Sequence, residues 1–319
     1  MNQVQKTIFN CGIIPVIKLD DAADAKPLCQ ALLDGGIYVA EITFRTAAAE
    51  DSIRLVSESM PDVFVGAGTV INVELAKKAV AAGAKFIVTP GFNIPVVEYC
   101  LEHNIPIVPG TSCPTDIENG LGYGLEVLKF FPAEANGGLK ALKAMAAPYG
   151  SVKFMPTGGI DASNLLSYLE FDKVLACGGS WMVRDDLVKA KNFAEITKLT
   201  REAVAKMHNF RFAHMAINHD NKEQAKAMAE LFAHIFGFDA RETSNGFFAS
   251  DQIELMGLGD ANEGKNGHIG IKTTNILRAI DYLERRGIAM DRTRFKGTPE
   301  KPTMMYLKES FGGFAVHIV

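Results

Sequence analysis

The sequence has few cysteines, and none of the spacings that usually accompany cysteine chemistry. Five occur in 319 residues, they lie far apart, and no C-x-x-C pair is present. An odd number of scattered thiols is typical of a reducing compartment and argues against a disulfide framework or a cysteine zinc site. The N-terminus, MNQVQKTIFN, also lacks the basic and then apolar pattern of a secretory signal. We therefore expect a cytoplasmic protein.

Neither charge nor hydropathy favours a macromolecular surface as the partner. The chain has 33 Lys and Arg against 37 Asp and Glu, for a net charge of -4, and no dense basic block. This balance argues against nucleic acid and against an anionic membrane. No apolar run reaches the roughly 20 residues that cross a bilayer. With 48% hydrophobic residues, the chain can bury a large core, and we expect its partner to be a small molecule.

The first two thirds of the chain alternate between short β-rich runs and helical stretches, several of which end in glycine. Eight such strand–helix units in this length predict an α/β fold, a (β/α)₈ TIM barrel over residues 1–207. A doubly wound sheet would suit fewer strands and a glycine-rich turn after the first, where this chain has KLDDAADA. The predicted strands are Ile13–Leu19, Val39–Arg45, Phe64–Val70, Phe86–Pro90, Ile105–Pro109, Val127–Phe131, Lys153–Thr157 and Val174–Gly178.

From residue 208 the pattern changes to a twofold repeat. Each half predicts a strand, a helix and then shorter strands, which indicates a smaller α+β domain of paired βαβββ modules over residues 208–319. The long helix ending near His208 leads into it without a disordered linker. The first half comprises a strand at Phe212–Asn218, a helix at Asn221–Phe236 and strands through Glu254–Met256. The second comprises a strand at His268–Thr273, a helix at Asn275–Arg286 and strands to Val319.

The second predicted barrel strand carries two charges on one face. Alternation along Val39–Arg45 places the apolar residues toward the helices and directs Glu41 and Arg45 toward the barrel axis. Charges inside a barrel are costly unless they are used or paired. Arg45 also lies at the C-terminal end of its strand, where barrel active sites are built. A purely structural Glu–Arg pair is the alternative.

Lys129 lies within the apolar strand sequence VLKFFPAE, which is unusual for a structural lysine. Burial disfavours a charged ammonium, and a neutral amine is what attacks a carbonyl to form a Schiff base. The structural alternative is a lysine that extends to solvent from a strand end. Lys18, near the top of the first strand, is the second candidate for the nucleophile.

Two glycine pairs follow the late strands, in PTGGI and CGGS. Barrels often bind phosphate at this position through backbone N–H groups. We expect Gly158, Gly159 and Gly179 to let the backbone approach an oxyanion, with the Ser180 hydroxyl beside it. A single pair is usually only a turn, but two pairs after adjacent strands favour a site. Thr69 and Pro90 mark other strand ends that could line the same mouth.

The motifs AEITFRT, VGAGTV, TPG, PGTS, KFFPAEANGG, PTGGI and GGSW occur in order. With them, residues 1 to about 207 resemble 2-keto-3-deoxy-6-phosphogluconate (KDPG) aldolase, which often also acts on 4-hydroxy-2-oxoglutarate (KHG). The resemblance implies that Lys129 is the Schiff-base lysine and Glu41 the general acid/base. It implies a trimer that needs no metal. The implied substrate-binding residues are Arg45 and Thr69 for the carboxylate, Thr157 and Phe131 for the pocket wall, and Gly158, Gly159, Gly179 and Ser180 for the phosphate.

Residues from about 208 resemble the glyoxalase/bleomycin-resistance (vicinal oxygen chelate) fold, which often holds a divalent metal. The resemblance implies metal ligands at His214, Glu254, His268 and His317, and strand-borne His and Glu are typical ligands. The family more often has Glu where His317 stands. The alternative is a degenerate cup used for packing or oligomer contacts. We expect the remaining histidines to lie on the surface: His103, His208, His219 and His234.

These observations predict a class I aldolase in the barrel, with no cofactor. An isomerase or decarboxylase that binds phosphate is the alternative, and it would use Glu41 with an unmodified Lys129. For the C-terminal half, oligomer contacts, metal binding and small-molecule sensing all remain open.

Overall fold

The computed structural model describes residues 1–257 and 264–319. The chain divides into two compact units, Met1–Met207 and His208–Val319. The first is a parallel barrel and the second contains a single large sheet, so the predicted fold class is confirmed. Within the described residues, no helix combines the length and the apolar character needed to cross a membrane.

The barrel has eight strand positions, because two short strands follow each other at the fifth. Parallel pairing runs in the order β5-β4-β3-β2-β1-β9 and, in a second stretch, β6-β7-β8. Two parallel bridges, Phe154 to Val174 and Thr157 to Gly178, join β8 to β9. The strands are β1 (Ile13–Ile17), β2 (Val39–Thr43), β3 (Phe64–Gly68), β4 (Ile87–Val88), β5 (Ile107–Val108), β6 (Gly110–Thr111), β7 (Val127–Phe130), β8 (Lys153–Phe154) and β9 (Cys177–Gly179).

Helices follow these strands as the alternation predicts. They are α2 (Ala25–Gly35), α3 (Ala49–Ser59), α4 (Val73–Ala81), α5 (Ile94–Glu102), α6 (Pro114–Gly122), α7 (Gly138–Ala146), α8 (Leu165–Leu169), α9 (Asp185–Lys189) and α10 (Phe193–His208). A further helix, α1 (Gln3–Cys11), precedes the barrel and was not predicted. It begins with a capping box between Asn2 and Gln5 and ends at Gly12 in the left-handed region.

Every residue of β2 is buried. Its outward side chains Ala40 and Ile42 pack in the layer between sheet and helices, and both are at most 1% exposed. Its inward side chains, Glu41 and Thr43, are equally buried. The strand therefore places a carboxylate in the interior of the barrel, where a polar group needs a partner.

The second unit repeats one βαβββ pattern. The first module comprises β10 (Arg211–Asn218), α11 (Lys222–Phe236), β11 (Arg241–Glu242), β12 (Gly246–Ser250) and β13 (Ile253–Met256). The second comprises β14 (Gly267–Lys272), α12 (Ile276–Arg285), β15 (Met290–Thr298), β16 (Lys301–Phe311) and β17 (Phe314–Ile318). All eight strands form one sheet in the order β11-β12-β13-β10-β14-β17-β16-β15.

The two modules meet where β10 and β14 pair antiparallel, and each of these strands pairs in parallel with the last strand of its own module. Each helix covers an apolar cluster on the sheet, around Leu255 under α11 and around Met305 under α12. Because side chains alternate along a strand, the residues between these apolar positions point to the face without helices.

Candidate active site

Lys129 and Glu41 meet inside the barrel. Lys129 on β7 is 5% exposed and Glu41 on β2 is fully buried. The Lys129 Nζ donates to Glu41 Oε1 at 3.3 Å. The ring of Phe131 lies beside the amine, with its centroid 5.2 Å from Nζ. The structure therefore brings the predicted nucleophile, the predicted acid/base and one predicted wall residue together in one buried place.

Gly68 makes room for the Glu41 carboxylate. A Cβ at this position would lie 2.2 Å from Glu41 Oε1, which is well inside the closest approach of two non-bonded atoms. Gly68 stands next to Thr43 in the register of β2 and β3. The second carboxylate oxygen, Oε2, is buried and has no hydrogen-bond donor within the described part of the chain. It is thus available to accept a proton from a substrate hydroxyl or a water.

Lys18, the second candidate for the nucleophile, lies in a different environment. Its Nζ is 3.0 Å from Asp20 Oδ1 and 3.4 Å from Asp185 Oδ2, near the protein surface. The hydrogen bond to Asp20 raises the pKa of Lys18 above its usual value. An amine held in the protonated form is a poor nucleophile, which favours Lys129.

Arg45 and Thr69 follow the C-terminal ends of β2 and β3. Arg45 is exposed, and its Nε donates to the Thr43 hydroxyl at 3.1 Å. That hydroxyl donates in turn to the Ile17 carbonyl at 2.7 Å. Thr69 adopts a left-handed backbone, with φ of 57°, which is uncommon for a β-branched residue and is typical of functional sites.

Sequence reasoning missed two residues that position this end of the site, Thr43 and Gly68. Thr43 holds the guanidinium of Arg45 by accepting from Nε, and Gly68 leaves space for the acid/base carboxylate. The parity of Thr43 with Glu41 was the available signal for the first. The role of Gly68 depends on the pairing register of β2 and β3, and the sequence of one strand alone does not reveal that register.

One glycine pair, Gly158 and Gly159, follows β8, and the other lies at the end of β9. Gly158 and Gly159 have φ of 97° and 80°, values that favour glycine. Thr157 is buried and bridges to Gly178, while Ser180 is exposed at the rim. Adjacent strand ends of a closed barrel share one rim, so these groups and the strand ends that carry Arg45 and Thr69 face the same mouth.

Pro90 is the remaining barrel residue that was predicted to bind substrate. It packs against the strand next to the one that carries Lys129. Its carbonyl lies so near Gly110 that a Cβ on Gly110 would be 2.2 Å from that oxygen. Gly110 is the register partner of Lys129. Pro90 therefore borders the strand pair that carries the lysine.

Three predicted metal ligands converge in the second unit. His214, His268 and His317 lie on β10, β14 and β17, on the face without helices. The Nε2 atoms of His214 and His268 are 3.0 Å apart, and those of His214 and His317 are 3.3 Å apart. Glu254 on β13 borders this group, with Oε2 3.6 Å from His268 Nε2, but the set of ligand atoms that lie within 4.8 Å of one another consists of the three imidazoles. Imidazole nitrogens and carboxylate oxygens are donors that divalent zinc and related metals prefer.

Burial lowers the pKa of two of these imidazoles, His214 and His317. Desolvation, together with the positive charges that His268 and His214 would carry, lowers the pKa of His317 to about 3. Desolvation and then His268 also lower the pKa of His214. A neutral imidazole is the form that binds a metal.

The expectation that His208 lies on the surface was wrong. It is 2% exposed, with its ring stacked on Phe210 at 5.1 Å and tilted against Tyr282 at 4.4 Å. Desolvation, and then the charges of Arg278 and Arg286, lower its pKa to about 4. The sequence placed it at the end of an amphipathic helix, and the apolar partners that bury it come from further along the chain.

Known proteins match the barrel closely. A 2-dehydro-3-deoxy-phosphogluconate aldolase of Treponema pallidum (strain Nichols) is 48% identical over 192 residues, which are 60% of this chain and 91% of the relative. The KHG/KDPG aldolase of Escherichia coli (strain K12) is 45% identical over 200 residues, 62% of this chain and 94% of the relative.

Solved structures give the same result. A crystal structure of KDPG aldolase from Legionella pneumophila, with pyruvate captured at low pH as a covalent carbinolamine intermediate, matches with a TM-score of 0.61 at 39% identity. The match covers 62% of this chain and 97% of that one. The KDPG and KHG aldolase family itself matches residues 4–199. The chain belongs to the KDPG and KHG aldolase family through its barrel.

Proposed function

We propose that the barrel is a class I aldolase, a lyase that cleaves KDPG to pyruvate and glyceraldehyde 3-phosphate, and KHG to pyruvate and glyoxylate. The observation that carries this proposal is the buried Lys129, with its amine 3.3 Å from the Glu41 carboxylate. The relatives named above supply the substrate class. The covalent pyruvate adduct of the Legionella pneumophila enzyme supports the covalent route.

The chemistry begins at Lys129. Its amine adds to the keto carbon of the substrate and expels water, which leaves an iminium. The carbon–carbon bond one atom beyond then breaks, and its electron pair moves toward the iminium nitrogen to give an enamine. Glu41 accepts the proton of the hydroxyl that becomes the aldehyde. Protonation of the enamine carbon and hydrolysis of the imine release pyruvate and restore Lys129.

The remaining residues hold the substrate. A guanidinium can clamp a carboxylate through two hydrogen bonds, and we assign this role to Arg45, with Thr69, at the mouth. Thr157, Phe131 and Pro90 form the wall. Gly158, Gly159, Gly179 and Ser180 lie where barrels bind phosphate through backbone N–H groups.

Incubation of the full chain with KDPG tests this proposal against the isomerase or decarboxylase alternative. We expect stoichiometric pyruvate and glyceraldehyde 3-phosphate, at a rate that survives exhaustive chelation, because the imine does the work of a metal. Release of carbon dioxide or an isomerised acid would support the alternative. Loss of cleavage on chelation, restored by zinc or manganese, would contradict a class I mechanism.

The second unit carries a separate function in our proposal, as a glyoxalase-like (vicinal oxygen chelate-like) domain that binds a divalent metal. His214, Glu254, His268 and His317 would be the ligands. The support is the convergence of three Nε2 atoms from three strands. The edge-to-edge pairing of two βαβββ modules adds to it.

Thermal unfolding with and without zinc tests the metal site. A metal that binds only the folded state raises Tm by mass action, so we expect a rise for the wild type and little for His214→Ala/His268→Ala. A His103→Ala variant, altered at an exposed residue, is the matched control and should respond as the wild type does. No zinc-dependent shift in the wild type would favour the degenerate cup, used for packing or oligomer contacts.

We also propose a homotrimer and a cytoplasmic location, as the sequence implies. Sedimentation equilibrium of the full chain would give the mass of the assembly, and a monomer or dimer would contradict the trimer.

A further inference from the structure

The second unit has an open pocket of about 820 Å³ that the aldolase reaction does not use. It lies on β15, β16 and β17 of the second module. Four cationic residues line it, against two acidic ones, Asp291 and Glu309. The cations are Lys265, Arg294, Lys296 and Lys308.

Strand alternation places this pocket on the same face as the histidine cluster. Phe295 and Leu307 pack in the apolar cluster under α12. Tyr306, the strand neighbour of Leu307, therefore points to the opposite face, and His317 does so on β17 for the same reason. Arg294 lies within a register shift of β15, and its contact with the Tyr306 ring places it on the same face. The ring of Tyr306 lies 5.0 Å from the ring of His317, so the pocket borders the cluster.

The guanidinium of Arg294 is held in a fixed orientation and has a buried N–H group that could bind a ligand. Its guanidinium carbon lies 3.9 Å from the centroid of the Tyr306 ring, a stacked position that fixes the plane of the fork. Nη2 is buried and, over residues 1–257 and 264–319, meets no hydrogen-bond acceptor. A buried donor of this kind is costly when left unsatisfied, and an oxyanion entering the pocket would satisfy it.

Hydrogen bonds from Thr293, and then the charges of Arg294 and Lys308, lower the pKa of Asp291, so this carboxylate offsets only part of the positive charge of the pocket. The Asp291 carboxylate accepts from the Thr293 N–H at 3.0 Å and also from the Thr293 hydroxyl. Glu309 is exposed at the rim, as are Lys296 and Lys308. The excess of positive charge would attract an anion, and the guanidinium fork suits a carboxylate or phosphate in two-point contact.

We propose that this pocket binds a small oxyanion-bearing molecule, whose acid group pairs with Arg294 while its other end reaches toward the histidine cluster. This binding is independent of the aldolase reaction and does not require the metal. The ligand class is defined by the acid group, a carboxylate or a phosphate.

A titration followed at Met304 tests the proposal on the full chain. Met304 lines the pocket, so its ¹³C-labelled methyl signal, assigned by Met304→Leu, reports on this site and not on the barrel. Metal-free protein in chelator-free buffer is titrated with inorganic phosphate and, separately, with succinate. We expect a saturable shift with at least one, which identifies the acid group, and at least about tenfold weaker binding in Arg294→Met.

Arg292→Met is the matched control. Arg292 lies on the same strand, but its guanidinium is engaged by Glu284 at 2.6 and 2.8 Å, so this variant should bind as the wild type does. Equal affinity in Arg294→Met and the wild type would overturn the proposal, as would the absence of any shift with both anions. Because the metal is left out, neither outcome depends on the metal site or on the aldolase.

Discussion

Lys129 and Glu41 are 88 residues apart in the sequence, but the Lys129 Nζ lies 3.3 Å from Glu41 Oε1. Each was predicted from its own strand, because alternation directs both side chains inward and neither is easily explained as structure. The pair could therefore be predicted residue by residue. Thr43 and Gly68 could not, because their roles depend on which strands are neighbours and in what register.

Glu41→Gln should leave imine formation at least partly intact and slow turnover by about 10²–10⁴-fold, the usual loss when a general acid/base is removed. The amide cannot accept the hydroxyl proton, although it fits beside Gly68. Pyruvate release by steady-state assay gives the rate, and Glu58→Gln, at an exposed position of α3, is the control. Near-normal turnover in Glu41→Gln would remove this carboxylate from the mechanism.

Ser180→Asp should separate phosphorylated from unphosphorylated substrates. The new carboxylate lies at the rim beside the glycine pairs and repels a phosphate. We expect a large fall in kcat/KM for KDPG and a small one for KHG, which has no phosphate. Ser151→Asp, also exposed, adds the same charge elsewhere and should affect neither. Equal losses on both substrates would mean that the phosphate binds at another place.

At the scale of elements, the eight strand positions and the helices between them follow from the hydrophobic pattern, and so do the two βαβββ modules. Helix α1 was not predicted because only two of its residues, Ile8 and Cys11, are buried. Its hydrophobic periodicity is therefore weak. His208 ends α10, and its burial depends on Phe210 and Tyr282. Local pattern identifies such elements but not the partners that later segments supply.

The burial of His208 predicts that the free energy of unfolding of the second unit depends on pH. Its pKa falls from 6.5 to about 4 on folding, so the unfolded chain binds the proton more tightly. Stability is therefore lost as pH falls from 6.5 toward 4, by about 2 kcal/mol at pH 5 from this group. Hydrogen exchange of the α12 amides measures the free energy of unfolding. Between pH 7 and pH 5, the wild type should lose that amount relative to His208→Gln, which has no imidazole to protonate. A constant difference would mean that His208 is protonated in the folded state.

The whole chain combines a barrel of the KDPG and KHG aldolase family with a second unit of two paired βαβββ modules. The matched family ends at residue 199, before the second unit begins at His208. The change of period near that residue was visible in the sequence. The four metal-ligand candidates could be predicted only through the resemblance, since they are spread over more than 100 residues and meet only when two modules pair in one sheet.

Because the barrel contains every residue assigned to cleavage, we propose that the two units are separate domains and that residues 1–207 suffice for aldolase activity. The expressed fragment should retain kcat/KM for KDPG within a few-fold of the full chain. A folded but inactive fragment, judged by circular dichroism, would show that residues 208–319 contribute to catalysis or to an assembly that catalysis requires.

Borohydride trapping with pyruvate shows whether Lys129 forms a Schiff base with a 2-keto acid. Reduction fixes the imine as a stable secondary amine, which peptide mapping by mass spectrometry can locate. We predict one adduct per chain, on the peptide containing Lys129, and no adduct in Lys129→Ala. Labelling of Lys18 instead, or full labelling of Lys129→Ala, would contradict the account.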